Sequence, residues 1–182
     1  LFSGLVIKDL AILDKDLWVI TAKDASLKFL VIPLFKKQII ITALKLESPR
    51  IYVERARDNS INIIQMFFKE PILLNGEYSL TVSRIILSKA FISFKDNTFD
   101  PPILKDIKNA SLDSHISLPD RIVFNTEFEL STPELPMLIK AKGEYGALKK
   151  EWSFDVKMRD LCLKELSSYC KDWDIPLPDG RA

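Results

Sequence analysis

Any chemistry in this chain has to be assembled around one histidine, two cysteines and 25 acidic residues. A hydrolytic triad would run through His115 in "DSHISL", because a nucleophile needs an imidazole to take its proton. Alternation puts that imidazole on the polar side of a strand, where a solvated surface histidine is the plainer reading. Asp96 and Asp100 in "KDNTFD" offer hard oxygen ligands for a cation, but their spacing matches no Ca²⁺ loop and a solvated turn accounts for them. Cys162 and Cys170 are eight apart in "LCLKELSSYC", which reads as a helix. At ~1.5 Å of rise per residue they would lie roughly 12 Å apart, beyond disulfide reach, so two free, buried thiols are expected. "NAS" at Asn109 fits the glycosylation acceptor pattern, which acts only in a secretory setting. Neither G-x-S-x-G, G-x-x-x-x-G-K-[ST], H-E-x-x-H nor C-x-x-C occurs. The expectation is a protein that is not an enzyme and takes no metal or cofactor.

The elements behind these residues are mostly strands. In "RIVFNTEFEL" (Arg121 to Leu130), Ile122, Phe124, Thr126, Phe128 and Leu130 share one face, and Val123, Asn125, Glu127 and Glu129 the other. "MLIKAKGEY" sets Met137, Ile139, Ala141 and Tyr145 against Lys140, Lys142 and Glu144. "WSFDVKMR" sets Trp152, Phe154, Val156 and Met158 against Ser153, Asp155, Lys157 and Arg159. The short links "STPELP" and "GALKKE" predict antiparallel hairpins, so three strands in a row present an apolar face and a charged back. Upstream, "SLTVSRIILS" and "AFISFKD" read as a strand pair whose parity slips near Arg84, which predicts a bulge. "QIIITALKLE" and "RIYVERA" read as another pair turning at Pro49, and "GLVIKDLAIL", "LWVITA" and "ASLKFLV" as three further strands. Helical signals are confined to "VIPLFKKQ", "NSINIIQMFF" with Asn59 or Ser60 as N-cap, and "LCLKELSSYC". The prediction is a mainly β fold, an elongated antiparallel sheet of ten or eleven strands with two or three short helices. Prolines fall at the connections, and glycine is scarce at 5, which favours an extended sheet with irregular links over a tightly wound barrel.

With 26 basic against 25 acidic residues the net charge is +1, which leaves no basic footprint for nucleic acid. No run of ~18 uncharged apolar residues is present to span a bilayer as a helix. The chain opens on "LFSGLVIKDL", without an initiator methionine or basic leader, so residues 1–182 are expected to be a single region of a longer chain. The one-sided strands admit two readings: a sealed core, or a sheet curled into an open trough whose lining meets acyl chains. Parity is the same in both.

The stretch "ITALKLESPRIYVERARDNSINIIQMF" resembles the signature region of the AsmA-like family, relatives of TamB among the bridge-like lipid-transfer proteins. Ile41, Leu44, Leu46, Pro49, Ile51, Val53, Arg55, Asp58, Asn62 and Ile63 stand at the positions of its strand, turn and short apolar helix. Asn59 and Ser60 replace the usual glycine, and asparagine tolerates the positive φ such a turn needs. Ala90, Ile92, Phe94 and Asp96 match a second block, and Leu161, Leu163, Leu166 and Tyr169 a later helical one.

The resemblance implies a curled β-groove, a taco-like half-barrel that carries phospholipid between the inner and outer membranes of a bacterial envelope. It implies a periplasmic protein held to the inner membrane by an anchor outside this chain, with other envelope proteins as further partners and no nucleic acid. The groove lining expected from it and from parity is Ile51, Val53, Ile85, Leu87, Ile92, Phe94, Ile122, Phe124, Phe128, Leu130, Ile139, Trp152, Phe154, Val156 and Met158. The alternative is a closed β scaffold or interaction domain assisting outer-membrane protein assembly. Arg55 and Asn62 are expected to build the turn rather than to catalyse.

Overall fold

Among the described residues eleven strands form where β-branched and aromatic residues alternate with polar ones, and all eleven join one curled sheet. The computed structural model describes residues 2–14, 17–63, 65, 73–74, 78–117, 120–132, 135–146, 149 and 151–161. The strands are β1 (Phe2–Asp14), β2 (Leu17–Leu30), β3 (Gln38–Glu47), β4 (Arg50–Arg55), β5 (Leu73–Leu74), β6 (Tyr78–Val82), β7 (Arg84–Asp96), β8 (Ile103–Ser117), β9 (Arg121–Leu130), β10 (Met137–Gly146) and β11 (Glu151–Arg159). Their order is β11-β10-β9-β8-β7-β4-β2-β3-β6-β5, with β1 on β2 and a further pairing of β7 with β3. The predicted hairpins β9–β10 and β10–β11 form, each in unbroken register.

The sheet is mixed, where parity predicted an antiparallel one. β3 pairs in parallel with β6 and β7, and β4 in parallel with β7. The reason lies at Pro49. Instead of turning there, β3 and β4 run on in one line between β2 and β7, and both are bonded to each of those neighbours. Ser48 takes φ 48°, its N–H donates to the Ser88 carbonyl, and the Phe91 N–H donates to the Pro49 carbonyl, so pairing continues across the proline. A strand followed by its own continuation has no hairpin, and the neighbour reached after residues 56–77 arrives in parallel.

Two other pairs merge in the same way. "LWVITA" and "ASLKFLV" are both β2, and "RIILS" and "AFISFKD" are both β7. The parity slip in β7 lies at Ser88–Lys89 rather than near Arg84: Ile85 and Leu87 share a face with Ala90, Ile92 and Phe94, and Lys89 takes φ 52°. Asp9 in β1 and Asn109 in β8 take φ 51° and 52° at the same level.

Among the described residues no helix reaches seven residues, and none is long and apolar enough to cross a membrane. Pro33 starts a 3₁₀ turn at Ile32–Lys36, closed by Lys37 in the left-handed region. In "NSINIIQMFF" the Gln65 N–H donates to the Ile61 carbonyl, so helical bonding starts from Ile61 rather than from Asn59 or Ser60. The "LCLKELSSYC" helix, with both cysteines, lies outside the described residues.

The core sits where β1 to β4 meet β7. Val19, Ile20, Ala22, Ala25, Leu46 and Ile51 are buried, with Ile7, Leu10, Ile12, Leu44, Val53, Ile63, Leu87 and Ile92 packed against them. No second sheet lies over these side chains among the described residues, and Ile63, beyond β4, packs against them. Removing a leucine or isoleucine of this set from water stabilises the fold by about 1.5–3 kcal/mol.

Candidate functional site

Register across the sheet shows which side chains share a face, because residues directly opposite on paired strands project to the same side. One row runs Ile7, Ala25, Leu46, Leu87, Leu112, Thr126, Ala141, Val156 from β1 to β11. A second runs Leu5, Leu27, Leu44, Ile85, Ser114, Phe124, Gly143, Phe154. A third runs Ile12, Ile20, Ile51, Ile92, Ile107, Leu130, Met137. Val53 opposes Phe94, Ile122 opposes Tyr145 and then Trp152, and Phe128 opposes Ile139 and then Met158. All fifteen residues expected to line a groove therefore fall on one face. β1, β2, β3 and β8 add members that alternation did not single out.

Exposure along this face is graded. Ala25, Leu46, Ala90 and Ala110 are between 0% and 4% exposed. Phe124, Phe128, Leu130 and Ile139 are half-buried. On β11, Trp152 and Phe154 are each 64% exposed, Met158 49% and Val156 37%. Aromatic rings anchor this open end: Trp152 stacks tilted on Tyr145 at 4.5 Å and meets Phe124 edge-on at 6.5 Å. Gly143 lets β11 approach, since a Cβ there would collide with the Ser153 carbonyl and lie 2.7 Å from the Phe154 Cβ.

The back of β7 to β11 is charged and paired. Lys140 meets Glu127 at 2.8 Å, Lys142 meets Asp155 at 3.7 Å, and Arg121 meets Glu144 at 3.7 Å. Arg84 grips both oxygens of Asp113 at 2.8 and 2.6 Å, which lowers the Asp113 carboxyl and raises the guanidinium. An open depression of about 680 Å³ lies on this side, lined by Asp113, His115, Asn125, Lys142, Glu144 and Asp155 among others. Val123, Phe124 and Phe154 line it as well, so charged and apolar groups share it.

The residues first weighed for chemistry are scattered. His115 is exposed on the polar side of β8, with Nδ1 3.8 Å from Asp113, and among the described residues no hydroxyl bonds to its ring. Asp96 is no solvated turn residue. It is fully buried, accepts from the Thr98 N–H and hydroxyl, and faces Arg55 at 3.4 Å, so it is not paired with Asp100 for a cation. Asn109 donates to Glu129 at 3.0 Å from a bulge in the middle of the sheet. Among the described residues no group of three or more potential metal ligands assembles.

Arg55 and Asn62 sit in one polar knot beside the apolar face. Asn59, at φ 65°, accepts from Arg55, and the Ser60 hydroxyl, then the Ser60 N–H, hold the Asp58 carboxyl low. The Asn62 side-chain oxygen accepts from the Glu54 and Ile63 N–H groups, and its nitrogen donates to the Tyr52 carbonyl. The Asn97 amide, against the opposing effect of burial, holds the Glu54 carboxyl low, with the Tyr52 hydroxyl and Lys95 helping. Burial, then the bond to Glu54, pushes the Tyr52 phenol up to about 12. This is a structural latch: the bonds of Arg55, Asn62, Glu54 and Asn97 fix the shape of the turn. No protein-family model and no curated protein matches the chain.

Proposed function

We propose that this chain is an AsmA-like groove segment that binds phospholipid, or another acyl-chain lipid, on its apolar face and passes it between membranes without catalysis. The observation that carries this is the open end of the face. Four apolar side chains of β11 stand in water, and the Val156 row runs across the sheet to buried Leu46 and Ala25 of β3 and β2. Acyl chains laid on such a face leave water at about 0.8 kcal/mol per methylene, which needs no catalytic group and reads little of the lipid head. The charged back, with its Lys140–Glu127 and Lys142–Asp155 pairs, keeps the outer side wet. In this reading the taco-like half-barrel is completed by the parts of the full-length protein around this region. That protein stands in the periplasm, anchored in the inner membrane.

The second reading, a closed scaffold domain in envelope assembly, draws on the opposite end, where Ala25, Leu46, Ala90 and Ala110 leave no room for a ligand. Mass spectrometry of organic extracts from the purified chain separates the two. The lipid reading expects copurified phospholipid that is lost in Phe154→Glu while the circular dichroism spectrum is unchanged. A wild-type extract free of lipid, together with no binding of an apolar dye, overturns it.

A further inference from the structure

β11 is the flat edge of the sheet. Among the described residues it bonds to β10 alone, in unshifted register from Leu138 opposite Arg159 to Gly146 opposite Glu151. All nine of its residues are exposed, and it contains no proline, no glycine and no left-handed residue. The other long edge, β1, is blunted by Asp9 at φ 51° and by a register shift at Ile12–Leu13. Sheet edges are commonly guarded in that way, and β11 lacks such a guard.

The order of residues on β11 is also self-complementary. Placed antiparallel to itself about a two-fold axis through Val156, it sets Asp155 opposite Lys157 twice, Phe154 opposite Met158 twice, and Val156 opposite itself. Lys157 has room for such a neighbour: inside the chain it lies beside Lys140, whose charge is already taken by Glu127, and among the described residues it has no ion pair of its own. A two-fold through Asp155 would set that carboxylate against itself, and one through Phe154 would leave Asp155 facing Ser153. The Val156 axis sets Lys157 against Asp155, which also meets Lys142 at 3.7 Å, while keeping the apolar side chains on one side.

We propose that two copies of this chain pair antiparallel through β11, with the two-fold axis at Val156, and so extend one apolar face across both. The pairing uses backbone bonds and charge, and does not depend on lipid. Sedimentation equilibrium therefore tests it on lipid-free protein. The chain is expected to dimerise reversibly. Asp155→Lys or Lys157→Asp alone should weaken the dimer about tenfold or more, and the two together should restore it. In a background with Cys162→Ser and Cys170→Ser, Val156→Cys should oxidise to a covalent dimer. Phe154→Cys should do so only when mixed with Met158→Cys, since opposed Cβ atoms on paired strands approach disulfide distance. A chain that stays monomeric at roughly 100 micromolar overturns the proposal. So does cross-linking of Phe154→Cys with itself in place of Val156→Cys.

Discussion

Asp96 and Arg55 show how much a single polar contact does at the side of this sheet. Asp96 is fully buried, with Thr98 on one oxygen and Arg55 on the other, while the guanidinium also reaches Asn59. Arg55→Ala strands that carboxylate, and because the arginine is itself partly exposed the expected loss is about 2 kcal/mol, read by denaturant unfolding. Titration works on the same knot through Glu54 and Tyr52, and on the Arg84–Asp113 pair of β7 and β8. Glu54 and Asp113 are held below the usual carboxylate range in the folded chain, so their contribution is intact above about pH 4.5 and is lost as pH falls through the lowered values. Tyr52 acts on the other limb: its contribution is whole below pH 10 and is lost as pH rises through about 12. Melting temperature should therefore be level between these limits and fall on both sides. Glu54→Gln should soften the acid limb and Tyr52→Phe the alkaline one. The family resemblance made Arg55 and Asn62 legible as turn-builders, and their bonds to Asn59, Glu54 and Tyr52 are local. The burial of Asp96 was not legible, because its cover comes from a strand 41 residues away from it.

Strand boundaries were misjudged wherever period two breaks inside one strand. Between Leu87 and Ala90, and between Leu46 and Ile51, the apolar face passes from one parity to the other without the chain leaving the sheet. To a reader of alternation that looks like the end of one strand and the start of another. β9, β10 and β11 carry no such break, and there strand, face and hairpin were all legible. The breaks rest on non-glycine residues in the left-handed region: Asp9, Ser48, Lys89 and Asn109. Lys89 has an exposed side chain and, among the described residues, no side-chain bond to lose. Lys89→Gly is expected to stabilise the chain by about 0.5–1 kcal/mol, and Lys89→Val to destabilise it by more than that, since a β-branched residue resists positive φ. Thermal melts of the two variants moving in opposite directions from wild type would bear this out. A lower melt for the glycine variant would refute it.

At the scale of the molecule the apolar face is neither sealed nor open throughout, and one substitution chemistry should give two outcomes along it. Leu46→Glu buries an unpaired charge at a site 3% exposed and should unfold the chain, whereas Phe154→Glu at 64% exposure should leave its melting temperature within a few degrees. The alternation of residues said that such a face exists. It could not say where the face closes, because closure depends on how far the sheet curls. The parity breaks bear on that curl. From Leu112 to Ile107 in β8 is five residue steps, and so is each matching span in β7, in the β3–β4 line, in β2 and in β1. The span opposite in β9, Thr126 to Leu130, is four, as is Ala141 to Met137 in β10. An extra row of residues thus crosses one side of the sheet and ends between β8 and β9. In a crystal lattice this would be an edge dislocation, a half-plane that stops inside the material. A thin sheet relieves such a fault by leaving the plane, so the surplus residue in each of those neighbouring strands is itself a source of curvature.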